Sequence, residues 1–267
     1  MTVVDAINLL KDFSSHDFLG DRGESLGPED ERTLVDLLTD QMEFANVIVL
    51  NKATDAGQVK VDAARMIIKA LNPDAKVILA DHGVVATGDI LETGLFDFDR
   101  AQEHPLWAKE LYGFEHHVPE TEEYGVASFV YRARRPFHPA KIHALLNGDL
   151  PGVIRAKGHF WIATRPDWAA EFSLAGAVSM VRPLGRWWSG VPERFWPTHP
   201  EAEAERMRHW AEPWGDRRQE LVFIGTGFDQ AEIEARLEAC LVENGEFTPE
   251  RWADMRDPFP AWGREAA

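Results

Sequence analysis

Gln41-Met42-Glu43-Phe44-Ala45-Asn46-Val47-Ile48-Val49-Leu50-Asn51-Lys52 decides how the first part of this chain reads. The segment ends an amphipathic helix, crosses an apolar run from Val47 to Leu50 and stops on an Asn-Lys pair. A strand that is apolar on both faces belongs to a covered parallel sheet. Open sheets of that kind collect ligands beyond the carboxyl ends of their strands, which is where Asn51 and Lys52 stand. The sequence contains no G-x-x-x-x-G-K-[ST] segment. The backbone cradle that such a loop offers to phosphates is therefore not encoded in these 267 residues.

Neighbouring segments extend the same architecture. Val3-Val4-Asp5 reads as the end of another buried strand. Residues Ser14 to Glu31 are polar and Gly-rich, as in a loop. Pro28-Glu29-Asp30-Glu31 suits a helix N-terminus, where proline is tolerated and acids oppose the positive dipole end. Leu34, Leu37, Leu38, Met42 and Ala45 continue it at helical spacing. Beyond Lys52, the positions Val59, Ala63, Met66, Ile67 and Ala70 predict a second helix, stopped by Asn72-Pro73. Val77 to Ala80 is a further buried strand, closed by Asp81-His82-Gly83. Strand, helix, strand at this spacing implies a parallel crossover. Residues 1–100 are thus expected to be part of an α/β sheet with helices, and 101–123 a linker.

Residues 124–267 predict a smaller α+β domain. Its expected strands are Val126–Arg132, Val153–Thr164, Phe172–Val181 and Leu221–Ile224. A helix from Phe137 to Leu146 starts at Pro139. Another, Asp229–Leu241, turns Ile233, Leu237 and Cys240-Leu241 inward. The net charge of −17 argues against a nucleic-acid partner, since such affinity is built on cations neutralising phosphates. No apolar run approaches the ~20 residues that span a bilayer, so no membrane role is expected. The start carries no signal-peptide pattern. A single cysteine rules out an intramolecular disulfide framework, and a cytoplasmic location is expected.

Several segments, taken in order, resemble the CobW-type (CobW/YjiA-like) P-loop GTPases. They are Thr2-Val3-Val4-Asp5-Ala6, Glu29-Asp30-Glu31-Arg32-Thr33, Gln41 to Ala45, Val47 to Lys52, Leu71-Asn72-Pro73-Asp74-Ala75 and Thr93-Gly94-Leu95-Phe96. The second half adds Glu120 to Gly125, Arg134-Arg135-Pro136-Phe137-His138-Pro139, Arg155-Ala156-Lys157-Gly158, Trp187-Trp188 and Glu220 to Gly225. The resemblance implies a truncated P-loop-type parallel sheet followed by a CobW C-terminal α+β domain. It implies a guanine site drawn from Asn51, Lys52, Asp55 and His82. GTP and magnesium are the implied family cofactors, with zinc or cobalt as cargo. The implied partners are a metal-requiring client, the missing GTPase half or a second copy of the chain.

The departures from the family are equally informative. Its P-loop, Cys-x-Cys-Cys and Glu-Thr-x-Gly segments would all lie before Met1. The chain by itself is expected to be inactive toward GTP. The family's Asn-Lys-x-Asp becomes Asn51-Lys52-Ala53-Thr54-Asp55, which sets the carboxylate one residue late. Two function classes follow. One is the C-terminal major part of a GTP-gated metal chaperone. The other is a non-hydrolysing regulatory module that pairs with a full-length paralogue or client.

Other side chains admit two readings each. Asp5 faces a nucleotide or caps the next helix. Glu115-His116-His117 with Glu120 and Glu122 is a weak accessory metal site or a polar linker. Arg132, Arg134, Arg135, Arg155 and Lys157 bind an anion or partner, or pair with nearby carboxylates. Trp161, Trp187, Trp188, Trp196, Trp210 and Trp214 fill the second core or mark an interface. Cys240 reads as inert core.

Overall fold

Two sheets organise the computed structural model, which describes residues 1–19, 23, 32–96, 125–243 and 247–262. The first is parallel and contains β1 (Thr2–Asp5), β2 (Val47–Asn51) and β3 (Lys76–Ala80) in the order β1-β2-β3. Between β1 and β2 run α1 (Leu9–Phe13) and α2 (Leu34–Glu43), and between β2 and β3 runs α3 (Gln58–Leu71). Val4 and Leu50 are register partners. They share one core with Ile48, Val35, Met42, Val61, Ala64 and Ile68. Val47 and Val49 are buried on the opposite side, whereas Val3 is 55% exposed. Among the described residues, the helices of this core pack on the Val4 face.

Two local expectations are corrected. The helix expected from Pro28 begins at Leu34, because Thr33 closes a capping box with Asp36, satisfying N–H groups that a helix start leaves open. Pro28 to Glu31 lie outside the described residues. In α3 the buried residues are Val61, Ala64, Ile67, Ile68, Ala70 and Leu71, so Ile67 and Ala70 turn inward as expected while Val59 is 84% exposed. Centring the inward face on Val61, Ile68 and Leu71 buries three large apolar side chains together, and burial of apolar area decides which face turns inward. Asn72 then ties the two helix ends together. Its side-chain amide donates to the carbonyls of Met42, Glu43 and Ala45 at 2.9, 3.1 and 2.9 Å.

The second sheet is antiparallel. It contains β4 (Val126–Ala133), β5 (Val153–Phe160), β6 (Trp168–Ala175), β7 (Val178–Arg186) and β8 (Gln219–Thr226) in the order β4-β8-β5-β6-β7. Helices α4 (Pro139–Leu146), α5 (Pro200–Arg208) and α6 (Gln230–Glu238) complete it. The single strand expected over Phe172–Val181 is a hairpin. Gly176, at φ 52°, turns the chain where a Cβ would meet the Phe13 carbonyl oxygen at 2.0 Å. The strand expected to reach Thr164 ends at Phe160, where the Trp161 N–H donates to the Gln219 side chain at 2.9 Å.

One face of the antiparallel sheet packs Phe160, Phe172, Leu221 and Phe223 against Ile142 of α4 and Leu237 of α6. The other rests on the helices of the first sheet. Ala70 of α3 meets Val126, Val222 and Ile224, and Ala175 enters the core of the parallel sheet. Helices α2 and α3 therefore lie between the two sheets. Arg155 of β5 crosses this seam and donates to Glu43 of α2 at 2.9 Å, with side chains 4% and 3% exposed. Burial holds the Glu43 carboxyl above its ordinary range, although the Arg155 guanidinium works against it.

Three of the four remaining basic residues pair as the carboxylate reading expects, and Arg134 does not. Arg132 meets Glu220 at 3.0 Å, Arg135 meets Glu238 at 3.4 Å and Lys157 meets Glu171 at 3.3 Å. Arg134 donates to the carbonyl of His209 at 2.7 Å. Cys240 is buried, and burial pushes its thiol up. The six tryptophans divide: Trp161, Trp187 and Trp214 form a buried cluster, while Trp188, Trp196 and Trp210 are only partly covered. Among the described residues no helix is long and apolar enough to cross a membrane.

Candidate functional site

The carboxyl ends of β1, β2 and β3 bring Asp5, Asn51-Lys52 and Asp81-His82-Gly83 to one rim of the parallel sheet. Their backbone is shaped for sharp turns. Lys52 and His82 are both left-handed, at φ 60° and 52°, and Gly83 follows at 70°. Left-handed non-glycine residues cost energy and concentrate at functional sites. After Lys52 the chain enters a short helix, Ala53–Ala56, before Gly57 redirects it into α3.

Cross-links fix the rim. The Asn51 carboxamide oxygen accepts from the Gly83 N–H at 2.9 Å. Asp81 accepts from the Thr54 N–H at 3.0 Å and also from the Thr54 hydroxyl. These two bonds from Thr54 hold the Asp81 carboxyl below its usual range. Lys52 reaches across to Asp5 at 2.7 Å. Asp5 also accepts from the backbone of Ile7 at 2.8 Å and Asn8 at 3.3 Å, and from the Asn8 side chain at 2.9 Å. Partial burial pushes the Asp5 carboxyl up, but the Lys52 ammonium and these donors outweigh it and leave the group below its ordinary value. Asp5 therefore caps its own turn and holds Lys52 at once.

The expected site residues fare differently. Asn51 and Lys52 are built into the rim, and His82 sits exposed within the loop that Asn51 anchors. Asp55 is exposed in the short helix and makes no hydrogen bond among the described residues. His116, His117 and Glu120 lie outside the described residues. Among the described residues no three His, Cys, Asp or Glu side chains gather as metal ligands. The Thr54–Asp81 clasp was not anticipated, because it joins residues 27 positions apart with no local signature.

Residues 126–241 match the cobalamin synthesis protein CobW C-terminal domain. The chain is 40% identical to the Zinc-regulated GTPase metalloprotein activator 1 of Dictyostelium discoideum over 265 residues, 97% of this chain and 55% of that protein. The chain belongs to the CobW-type family. A zinc chaperone of Mycobacterium tuberculosis is 29% identical over 90% of the chain and 58% of its own length. This CobW-type chain thus spans little more than half the length of these curated relatives. The crystal structure of Zn(II)-bound YjiA GTPase from E. coli aligns over 90% of the chain and 60% of its own, at 17% identity and a TM-score of 0.35.

Proposed function

We propose that this chain is the base-reading and C-terminal part of a GTP-gated metal chaperone of the zinc type. The observation that carries the reading is its 40% identity, over 97% of its length, to a zinc-regulated GTPase metalloprotein activator. Asn51, clasped to the loop after β3, and Lys52, paired with Asp5 at the end of β1, are the part of that chemistry supported by geometry.

In this reading Asn51, Lys52, Asp55 and His82 surround a guanine base. Thr54 holds the position where the family pattern places its carboxylate, but its N–H and hydroxyl are spent on Asp81. Asp55 has no such engagement. Its two carboxylate oxygens can accept the paired N–H groups on the guanine edge, which an adenine does not offer. Phosphate affinity and magnesium would come from a loop that this sequence does not contain, so the chain alone binds nucleotide weakly and does not hydrolyse it. Zinc is cargo for a metal-requiring client protein. His116, His117 and Glu120 are its proposed weak accessory ligands.

An NMR titration of the chain with GTP and with ATP at millimolar concentration tests the base site. GTP should shift the amides of Lys52, Asp55 and Gly83 more than ATP does, without phosphate release, and Asp55→Asn should erase the difference. Equal shifts with both nucleotides, or shifts confined to other residues, would refute the guanine assignment.

A further inference from the structure

Arg206 holds chemistry that the nucleotide rim does not use. It lies on α5, is 9% exposed, and makes no hydrogen bond or ion pair among the described residues. Its guanidinium instead sits 4.0 Å from the centroid of the Trp196 ring and 5.3 Å from that of Trp210. Ring contacts of this kind engage the flat faces of a guanidinium. Its N–H groups radiate in the plane between those faces, and the one at Nε is unsatisfied. A buried cation without an anion is costly.

Arg206 lines a cavity of about 480 Å³ between the end of β7, the turn Trp188–Gly190 and α5. That volume falls in the range of small-molecule sites, ~300–1,000 Å³. Leu184, Trp187 and Trp188 make the walls largely apolar. Arg186 stands at the rim, exposed, with the Trp168 ring 5.2 Å away and no ion pair among the described residues. Asp216 also lines the cavity, but its carboxylate is spent on the Trp188 N–H, the Ser189 N–H and the Ser189 hydroxyl at 2.9, 2.9 and 2.7 Å. A cationic, aromatic-walled cavity thus lies in a chain of net charge −17.

We propose that this cavity binds a small organic monoanion, a carboxylate borne on an aromatic or branched apolar body. Arg206 pairs with the carboxylate in the plane of its guanidinium, the geometry in which arginine and carboxylate match best. Trp187 and Trp188 cover the apolar body. Walls of this character disfavour a multiply charged, fully hydrated anion such as inorganic phosphate. The carboxylate belongs to a free acid or to the C-terminus of a peptide, and the two sources share the same recognition chemistry. The assignment is independent of the guanine reading.

The test titrates the chain with 3-phenylpropionate and with its neutral amide, following tryptophan fluorescence and calorimetry. The acid should bind at least about tenfold more tightly than the amide, as a charge-assisted pair requires. R206Q should weaken the acid about tenfold or more. R186Q, at the exposed rim, should weaken it by a smaller factor and serves even where R206Q fails to fold. A second arm compares N-acetyl-Ala-Phe with a free and an amidated C-terminus. Tighter binding of the free-terminus peptide than of phenylpropionate assigns the site to peptide C-termini, and the reverse order assigns it to free acids. Equal binding of acid and amide, no binding of either, or acid binding unchanged in both variants would overturn the proposal and leave Arg206 as packing between two indoles.

Discussion

Asn51 holds the loop after β3 through one bond that a substitution can remove. Its side-chain oxygen anchors the Gly83 amide, so Asn51→Ala should accelerate hydrogen exchange at Gly83 while the global melting temperature changes little. Unchanged exchange at Gly83 would mean the loop after β3 is held by Asp81 and Thr54 alone. Glu220 makes a second residue-scale prediction. Burial pushes its carboxyl up, but His159, Arg218 and Arg132 surround it and hold the group well below the ordinary range. A carboxyl depressed by folding contributes stability above its unfolded value and loses it as pH falls toward the folded value. The chain should therefore lose stability as pH drops from about 5, and Glu220→Gln should flatten that slope in urea titrations at a series of pH values. The place of Asn51 and Lys52 at the end of β2 was legible in the sequence because a strand end is local. Thr54–Asp81 and Glu43–Arg155 were not, because each pair exists only after distant segments meet.

Elements carry the next set of effects. The hairpin between β6 and β7 turns on Gly176 against the end of α1, where the Gly176 N–H donates to Ile154 at 3.0 Å and the Ala177 N–H to Phe13 at 3.3 Å. Gly176→Ala would force a side chain into left-handed backbone and onto a carbonyl oxygen. It should cost more than about 2 kcal/mol, read as a shifted denaturation midpoint with an unchanged slope. Glu43 and Arg155 join α2 to β5. Breaking that buried pair with Glu43→Gln should cost about 3–5 kcal/mol, because Arg155 then lacks its counter-ion. The double replacement Glu43→Leu with Arg155→Met should fall within about 1 kcal/mol of the parent or exceed it. A double variant as unstable as the single one would show that the seam depends on this pair's polarity. Most elements were readable from periodicity. The hairpin was missed because Phe172 to Val181 is apolar enough to pass for one strand, and only the positive φ of Gly176 breaks it.

At the scale of the whole molecule, nine of the ten tryptophans stand at position 161 or later, so indole fluorescence reports mainly on the second half. Ile68 lies in α3, fully buried in the first half. Ile68→Ala should cost about 2–5 kcal/mol, and the fluorescence transition should shift with the circular dichroism transition by the same amount. Separate transitions would mean that the two sheets fold independently. The α/β and α+β classes could be read from the order of strands and helices, but their stacking could not, since Ala70, Val126, Val222 and Ile224 are unremarkable small or apolar residues until they touch. That stacking bears on how such chains are recombined. Helices α2 and α3 serve two sheets at once, so the matched C-terminal region, residues 126–241, is expected to need the first sheet in order to fold. A chimaera that joins this region to another relative's first half inherits Arg155 without a guarantee of Glu43. Grafts should succeed when both sides of the seam travel together and fail when the cut respects only the sequence boundary.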